Sequence, residues 1–427
     1  MTKTQKIFFV FLSLFSILNF KSQRIKDSVR IEIDYNKKVS VKSMSGFLHF
    51  TDIKALEDHI KTLQPKYWRI GIGWSYKSVD DVAYLRSFGI TPILVISDLY
   101  GYPGKKNNKE WPHPLQNDRL KKIITSEYEK FKNTVIYDIW NEPFHQSGFG
   151  DFDKKEYYDI FKKGHDIIRS LPGGKEALIT GPSYDHYDEK EIDDFLNFCN
   201  NNNVRVDILS WHEFRDAEYY KDFTKDLKIV KNIILPKYPK VGVKKIILNE
   251  IINQYSQFSP SEILQSLKMF ETNDIDGACK GCWAESDGVF NCNNSINGLL
   301  DKNGKPRSAW WAYKIYSQSV KNVRVQGNTN YDQTAVFASY DSNRKYVIVN
   351  NNSGNKLVNV KIILKDSIKS SKNVNVEIYE IPNSGENALD QMIFKKKQKI
   401  AAAKNLIQIN VAEIQPKTVC YLLISNK

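Results

Sequence analysis

TVIYDIWNEPF, residues 134–144, decides the fold. Apart from Thr134 and Asp138, its first seven residues are apolar or aromatic, as expected of a strand buried on both faces. Asn141-Glu142-Pro143 then ends the run, because proline has no N–H for a ladder and restricts the residue before it. A carboxylate is thereby left at the end of a buried strand. Seven other runs read as strands: MSGFLHF (44–50), YWRIGIG (67–73), TPILVIS (91–97), EALITGP (176–182), VDILSWHEF (206–214), KKIILNEI (244–251) and GACKGCWAE (277–285). Helical patterns separate them, such as SVDDVAYLRSFG (78–89) and KEYYDIFKKGHDIIRSL (155–171). The second repeats its apolar residues every three or four positions and stops at Pro172-Gly173-Gly174. Eight strand-then-helix units predict an α/β fold, a (β/α)8 TIM barrel over 23–317. The competing fold is an open doubly wound sheet. Its nucleotide-binding form is disfavoured, since no Gly-x-Gly-x-x-Gly follows the first strand.

Beyond Val320 the helical period disappears. AVFASY (335–340), KYVIVNN (345–351), VNVKIIL (358–364), VNVEIYEI (374–381), LIQINV (406–411) and TVCYLLIS (418–425) read as strands between Asn, Ser and Gly turns. They predict a C-terminal antiparallel β-sandwich over 318–427, with strands near 29–35 as candidates to complete it.

Lys3 and Lys6 precede the apolar run IFFVFLSLFSILNF (7–20), which leads into Lys21, Ser22 and charged sequence. Residues 1–22 are therefore expected to be a signal peptide, and the mature chain to be exported, secreted or periplasmic, without an integral membrane segment. The five cysteines are too sparse for a disulfide scaffold. A local Cys282–Cys292 bridge is the favoured pairing, with at least one thiol left over.

Of the 427 residues, 62 are Lys or Arg and 49 Asp or Glu, a net charge of +13. Residues 321–427 hold 16 Lys and Arg against 8 Asp and Glu, so most of the excess lies in the sandwich. The run Lys395-Lys396-Lys397 lacks the ordered aromatic platforms of a nucleic-acid module, and no nucleic-acid partner is expected. The basic field would suit an acidic glycan.

In a barrel the chemistry sits at the C-terminal ends of the strands. Glu142 closes the fourth and Glu250, in IILNEI (246–251), the seventh. Three βα units apart, they can face each other across the mouth. Glycosidic bond cleavage needs such a pair, one carboxyl protonated to donate to the departing oxygen and the other ionised to attack or to activate water. No organic cofactor is required. No histidine, cysteine and carboxylate cluster has metal-ligand spacing, so no metal is expected.

On these residues the chain resembles the clan of (β/α)8 retaining glycoside hydrolases with Asn-Glu ending strand four and Glu ending strand seven. Families 5, 30 and 79 share that carboxylate pattern. VDILSWHEF, GKPRSAWWAYKIY (304–316) and the barrel followed by a sandwich are most similar to glycoside hydrolase family 39, which includes β-xylosidases and α-L-iduronidases. The resemblance implies Glu142 as acid/base, Glu250 as nucleophile and Asn141 on the sugar 2-hydroxyl. It implies Arg69 as support of the nucleophile, His212 as the strand-six histidine, and Trp283 as the floor beneath the cleaved sugar. Phe214 stands where a tyrosine commonly follows that histidine, so the sugar contacts differ there.

His49, Asp98 and Trp211 are further candidates at strand ends. Trp74, Trp111, Trp140 and Trp211 are candidates for stacking on sugar faces, about half of them expected as core. Tyr184, Asp185 and His186 are candidates for the rim, Arg215 for a charged contact, and Glu213 and Glu285 are rivals for the acidic roles. The reading is a secreted retaining glycoside hydrolase acting on a poly- or oligosaccharide, xylan-type or acidic. The alternatives are a noncatalytic carbohydrate-binding protein on the same fold and a transglycosylase.

Overall fold

The computed structural model describes residues 27–71, 79–104, 108–145, 148–365, 373–402 and 406–426. The leader reading of 1–22 and Trp74 lie outside them. Eight parallel strands form one sheet in sequential order: β2 (Gly46–Leu48), β3 (Tyr67–Ile70), β4 (Thr91–Val95), β5 (Ile136–Asp138), β6 (Leu178–Tyr184), β7 (Ile208–Glu213), β8 (Lys245–Ile251) and β9 (Gly277–Lys280). The two ends of this sheet meet. A Cβ on Gly46 would lie 2.5 Å from the Ala278 carbonyl oxygen, so only glycine lets β2 lie against β9.

Strand alternation builds the barrel in layers. Leu48, Tyr67, Ile93, Ile136, Ile208, Ile247 and Cys279 fill the interior as one apolar cluster. Their strand neighbours, among them Trp68, Leu94, Tyr137, Leu209 and Leu248, point outward into the larger core shared with the helices. Helix Lys154–Ser170 shows how those helices are set. Asp153 and Glu156 form a capping box at its start, and Tyr157, Ile160, Phe161 and Ile168 lie on its buried face. At its end a Cβ on Gly174 would come within 1.8 Å of the Ile168 carbonyl oxygen.

The second sheet has nine strands in the order β15-β14-β17-β12-β11-β10-β1-β13-β16. They are β1 (Asp27–Lys38), β10 (Val323–Thr329), β11 (Val336–Tyr340), β12 (Arg344–Asn351), β13 (Val358–Lys365), β14 (Asn373–Ile381), β15 (Ile393–Ala401), β16 (Leu406–Ile414) and β17 (Thr418–Asn426). Val29, Ile31 and Ile33 share a single core with Val347, Ile362, Val376, Ile409 and Leu422, so the sheet folds over itself as a sandwich.

Two features differ from the sequence reading. The sheet is mixed rather than wholly antiparallel, because β1 runs parallel to β13 in the register Ile31↔Ile362 while pairing antiparallel with β10. No hairpin joins β1 to either neighbour, so no turn dictates its direction. The reading also lacks β10 and β15. Most of β15 is exposed, and its lysines obscure the alternation that marks a strand. Among the described residues no helix is long and apolar enough to cross a membrane.

Candidate active site

A cleft of about 710 Å3 opens at the C-terminal ends of the barrel strands. Backbone strain collects there. His49, Glu142, Ser183 and Ile252, all at or beside strand ends, hold left-handed conformations with φ of 48°, 46°, 57° and 71°. The Glu142 turn is fixed by its N–H donating to the Ser183 carbonyl at 3.0 Å and its carbonyl accepting from the His145 N–H at 3.1 Å.

Directly above the apolar barrel layer lies a polar one. Arg69 Nη2 donates to Asp138 Oδ2 at 2.8 Å and to Asn141 Oδ1 at 2.7 Å, while Nη1 donates to Glu250 Oε1 at 2.8 Å. Asn249 Nδ2 donates to Asp138 Oδ2 at 2.9 Å and to Ser183 Oγ at 2.8 Å. The Ser183 hydroxyl donates to Asp138 Oδ1 at 2.8 Å. Arg69 and Asp138 are almost wholly buried. The guanidinium is therefore held by three acceptors before any ligand arrives.

Glu250 reaches this layer through an irregularity. The β7–β8 register slips between Trp211 and His212, and the β8–β9 register between Leu248 and Ile251. Without that bulge, alternation would turn Glu250 outward once Asn249 faces in. With it, both adjacent residues face the barrel axis. Glu142 is bonded on its other side, its Oε1 lying 2.8 Å from His212 Nδ1. His212 is in turn the register partner of Glu250. The two carboxyl groups thus share one cavity and one imidazole neighbour.

Burial raises the Glu250 carboxyl above the ordinary glutamate value, outweighing the pull of His212 and Arg69. Burial acts on Glu142 the same way, but there the hydrogen bond and charge of His212 prevail and hold it lower than usual. One proton serves the Glu142–His212 contact. On Nδ1 it leaves Glu142 ionised, and on Oε1 it makes Glu142 a neutral acid with the imidazole proton on Nε2. That Nε2 is buried without a hydrogen-bond partner among the described residues. Burial pushes Asp98 up to about 7, opposed by its bond from the Tyr102 hydroxyl and by Arg69. His49 is driven down to about 3 by burial and by Arg69, and is neutral at ordinary pH.

Among the residues named from sequence, Glu142, Glu250, Arg69, Asn141, Trp283, His49, Asp98 and Asp185 line the cleft. His212 does not, and acts through the two carboxyls, bonded to Glu142 and beside Glu250. Trp211 is a correction. It is 1% exposed and packs on Tyr187, because alternation on β7 turns Ser210 and His212 inward and Trp211 out. Trp111 and Trp140 belong to an aromatic cluster with Tyr100 and Phe152, and Tyr184 is core against Phe144 and Tyr157. Arg215 and Glu213 bind each other at 2.7 Å, and Glu285 pairs with Arg307 at 2.9 Å. His186 sits at 2.7 Å from Asp185. Tyr102, His145, Phe149 and Phe290 also line the cleft and leave no mark in the sequence, for they lie in loops with no periodic signal. Cys282 and Cys292 are disulfide-bonded, and Cys199, Cys279 and Cys420 are buried thiols.

Residues 105–255 match the model of glycosyl hydrolases family 39. A beta-xylosidase of Geobacillus stearothermophilus is 27% identical over 88 residues, 21% of this chain and 17% of that protein. A beta-xylosidase of Caldicellulosiruptor saccharolyticus is 23% identical over 162 residues, 34% of this chain and 32% of that protein. The chain thus spans a third or less of the curated relatives it matches. The fold extends further. A family 39 enzyme from Xanthomonas axonopodis superposes with a TM-score of 0.67 at 12% identity, over 96% of this chain and all of that one.

Proposed function

We propose that this chain, similar in sequence and fold to glycoside hydrolase family 39, is a retaining β-glycosidase of xylan-type oligosaccharides. One observation carries the reading. A carboxylate fixed by an arginine at 2.8 Å and a carboxyl bonded to an imidazole at 2.8 Å line the same cleft at the mouth of a (β/α)8 barrel.

Glu250 is the nucleophile. Arg69 favours the ionised form against the burial that raises this carboxyl, and it fixes the rotamer, which leaves Oε2 to attack the anomeric carbon. Glu142 is the acid. When the shared proton sits on Oε1 it can pass to the departing oxygen, and the glycosyl-enzyme forms on Glu250. The ionised Glu142 then takes a proton from water, which attacks the same carbon and releases the sugar with its configuration retained. Asn141, anchored through its Oδ1 to Arg69, has side-chain N–H groups with no acceptor among the described residues, and they serve the 2-hydroxyl. Trp283, whose indole N–H is tied to the Ile252 carbonyl at 2.9 Å, provides the apolar wall of that subsite.

The cleft favours a neutral sugar. Glu142 and Asp185, both held below the ordinary carboxylate range, face it, and Arg69 is already shared among three acceptors. An acidic ring would meet net repulsion there. The two beta-xylosidase relatives support the xylan-type reading, and the apolar run at 7–20 supports export.

The test is a panel of β-xylosides, β-glucosides, xylo-oligosaccharides and uronic-acid glycans, run on the wild type and on Glu250→Ala. Proton NMR at early times reads the anomer released. Release of β-xylose by the wild type alone is the expected result. First-formed α-anomer would overturn the retaining mechanism, and turnover restricted to uronic-acid glycans would overturn the substrate class.

A further inference from the structure

One wall of the cleft is not built by the barrel alone. The segment after β9 is closed by the Cys282–Cys292 disulfide, with the two Cα atoms 5.8 Å apart. Inside it the chain folds into a tight turn. Gly288 N donates to the Glu285 carbonyl, Glu285 N to the Val289 carbonyl, and Val289 N to Asp287 Oδ1, each at 2.9 Å. The turn presents Phe290, which lines the cleft yet is 68% exposed. A large apolar ring is thereby left in water on a cross-linked loop. The cross-link limits the freedom the loop has to lose when another apolar face covers the ring.

The loop is held from the sandwich. Glu386, in the connection between β14 and β15, accepts from Ser286 N on Oε1 at 2.6 Å and from the Ser286 hydroxyl on Oε2 at 2.7 Å. Arg307 closes the clasp. It donates from Nε to the Glu386 carbonyl at 2.9 Å, from Nη2 to Glu285 Oε1 at 2.9 Å and from Nη1 to the Gly298 carbonyl at 3.1 Å. Arg307 is 1% exposed. The clasp fixes a loop of the barrel's mouth to a loop of the other sheet. Within the cleft the aromatic wall steps outward from Phe214, 4.9 Å edge-on to Trp283, to the exposed ring of Phe290.

We propose that Phe290 is the stacking platform for a second sugar ring, next to the one cleaved, and that Glu386 of the sandwich is the positioning residue that holds it there. The inference rests on the glycosidase reading for its substrate class. It makes the sandwich a determinant of chain-length preference. On this proposal a single sugar with a small aglycone leaves Phe290 uncovered.

The test compares methyl β-xyloside, whose aglycone carries no second ring, with xylotetraose. Phe290→Ala should lower kcat/KM on xylotetraose about five- to tenfold through KM, the range of a lost ring contact, and leave the methyl xyloside within twofold. Glu386→Ala should do the same. Glu386→Gln, which keeps an acceptor for Ser286 N, should restore most of the loss. Equal losses on both substrates would mark a merely structural role, and no loss on xylotetraose would remove the platform. Calorimetric binding of xylotetraose to Glu250→Ala and to Glu250→Ala/Phe290→Ala separates this inference from the catalytic one. Binding weakened by the same factor in an enzyme whose wild type hydrolyses nothing would overturn the reaction and leave the platform standing. Equal binding by the two variants, or binding by neither, would overturn the platform.

Discussion

Replacing Asp98 by Asn should stabilise the protein, and increasingly so as the pH rises. Asp98 sits beside Arg69, Asp138 and Glu250, and burial pushes its carboxyl up to about 7 from 3.8. The folded state therefore holds a proton that the unfolded chain has released, and stability from this group falls as pH climbs between the two values. At 1.36 kcal/mol for each pKa unit the full penalty approaches about 4 kcal/mol above pH 7. Asp98 keeps some contact with solvent, and roughly 1 kcal/mol is already lost by pH 4.5, so the change from pH 4.5 to 8 is about 2–3 kcal/mol. Asn carries no charge and can still accept from Tyr102. With about 2.1 cal/mol/K of unfolding entropy per residue over the barrel, this corresponds to about 3–5 °C. Thermal unfolding of both proteins at pH 4.5, 6, 7 and 8 reads it directly. A melting difference that stays constant over that range, or that shrinks as the pH rises, would refute the reasoning.

Glu250→Ala should cost at least about 10⁴-fold in kcat while leaving the melting temperature close to wild type, checked on an aryl xyloside. Glu142→Ala should lose about 10²–10⁴-fold on unactivated xylo-oligosaccharides but far less on 4-nitrophenyl xyloside, with azide restoring turnover as a glycosyl azide. His212→Phe should move both limbs of the kcat/KM profile to higher pH, because His212 lowers both carboxyls. A profile with unmoved limbs would mean that the imbalance between them lies elsewhere. Gly46→Ala should destabilise by about 1–3 kcal/mol in chemical denaturation, since its Cβ would meet the Ala278 carbonyl oxygen at 2.5 Å and neither backbone can yield without opening the β2–β9 contact.

The barrel is legible because each strand is a buried apolar run ended by a turn, as at 134–144, and because the helices keep a clean period. Glu142, Glu250, Arg69 and Asn141 are legible for a related reason, since a charged or amide group at the end of a buried strand is costly to desolvate unless partners or a ligand meet it there. Trp211 shows the limit. Its neighbour His212 points inward, and only the parity of β7, which no composition reveals, decides which of two adjacent residues reaches the axis. Glu250 depends on the same parity in the opposite sense, through a bulge whose position is fixed by neighbouring strands. Phe290 and Tyr102 carry no local pattern at all. Their places follow from a disulfide, a clasp from another sheet and a tyrosine–carboxyl bond, each a long-range contact or a loop-specific one.

The strand β1 carries a consequence for the order in which the molecule can be made. Ile31 pairs with Ile362, 331 positions later, and the chain between them contains the whole barrel. At synthesis rates of about 5–20 residues per second, β1 waits about 17–66 s before that partner exists. Its antiparallel partner β10 begins only at Val323, so for most of that time Val29, Ile31 and Ile33 have no core to enter. A chain cut after the barrel would therefore be left with a permanently orphaned, aggregation-prone strand. The two sheets cannot be separated at one boundary. A barrel expressed alone would have to lose its first strand as well as its last eight.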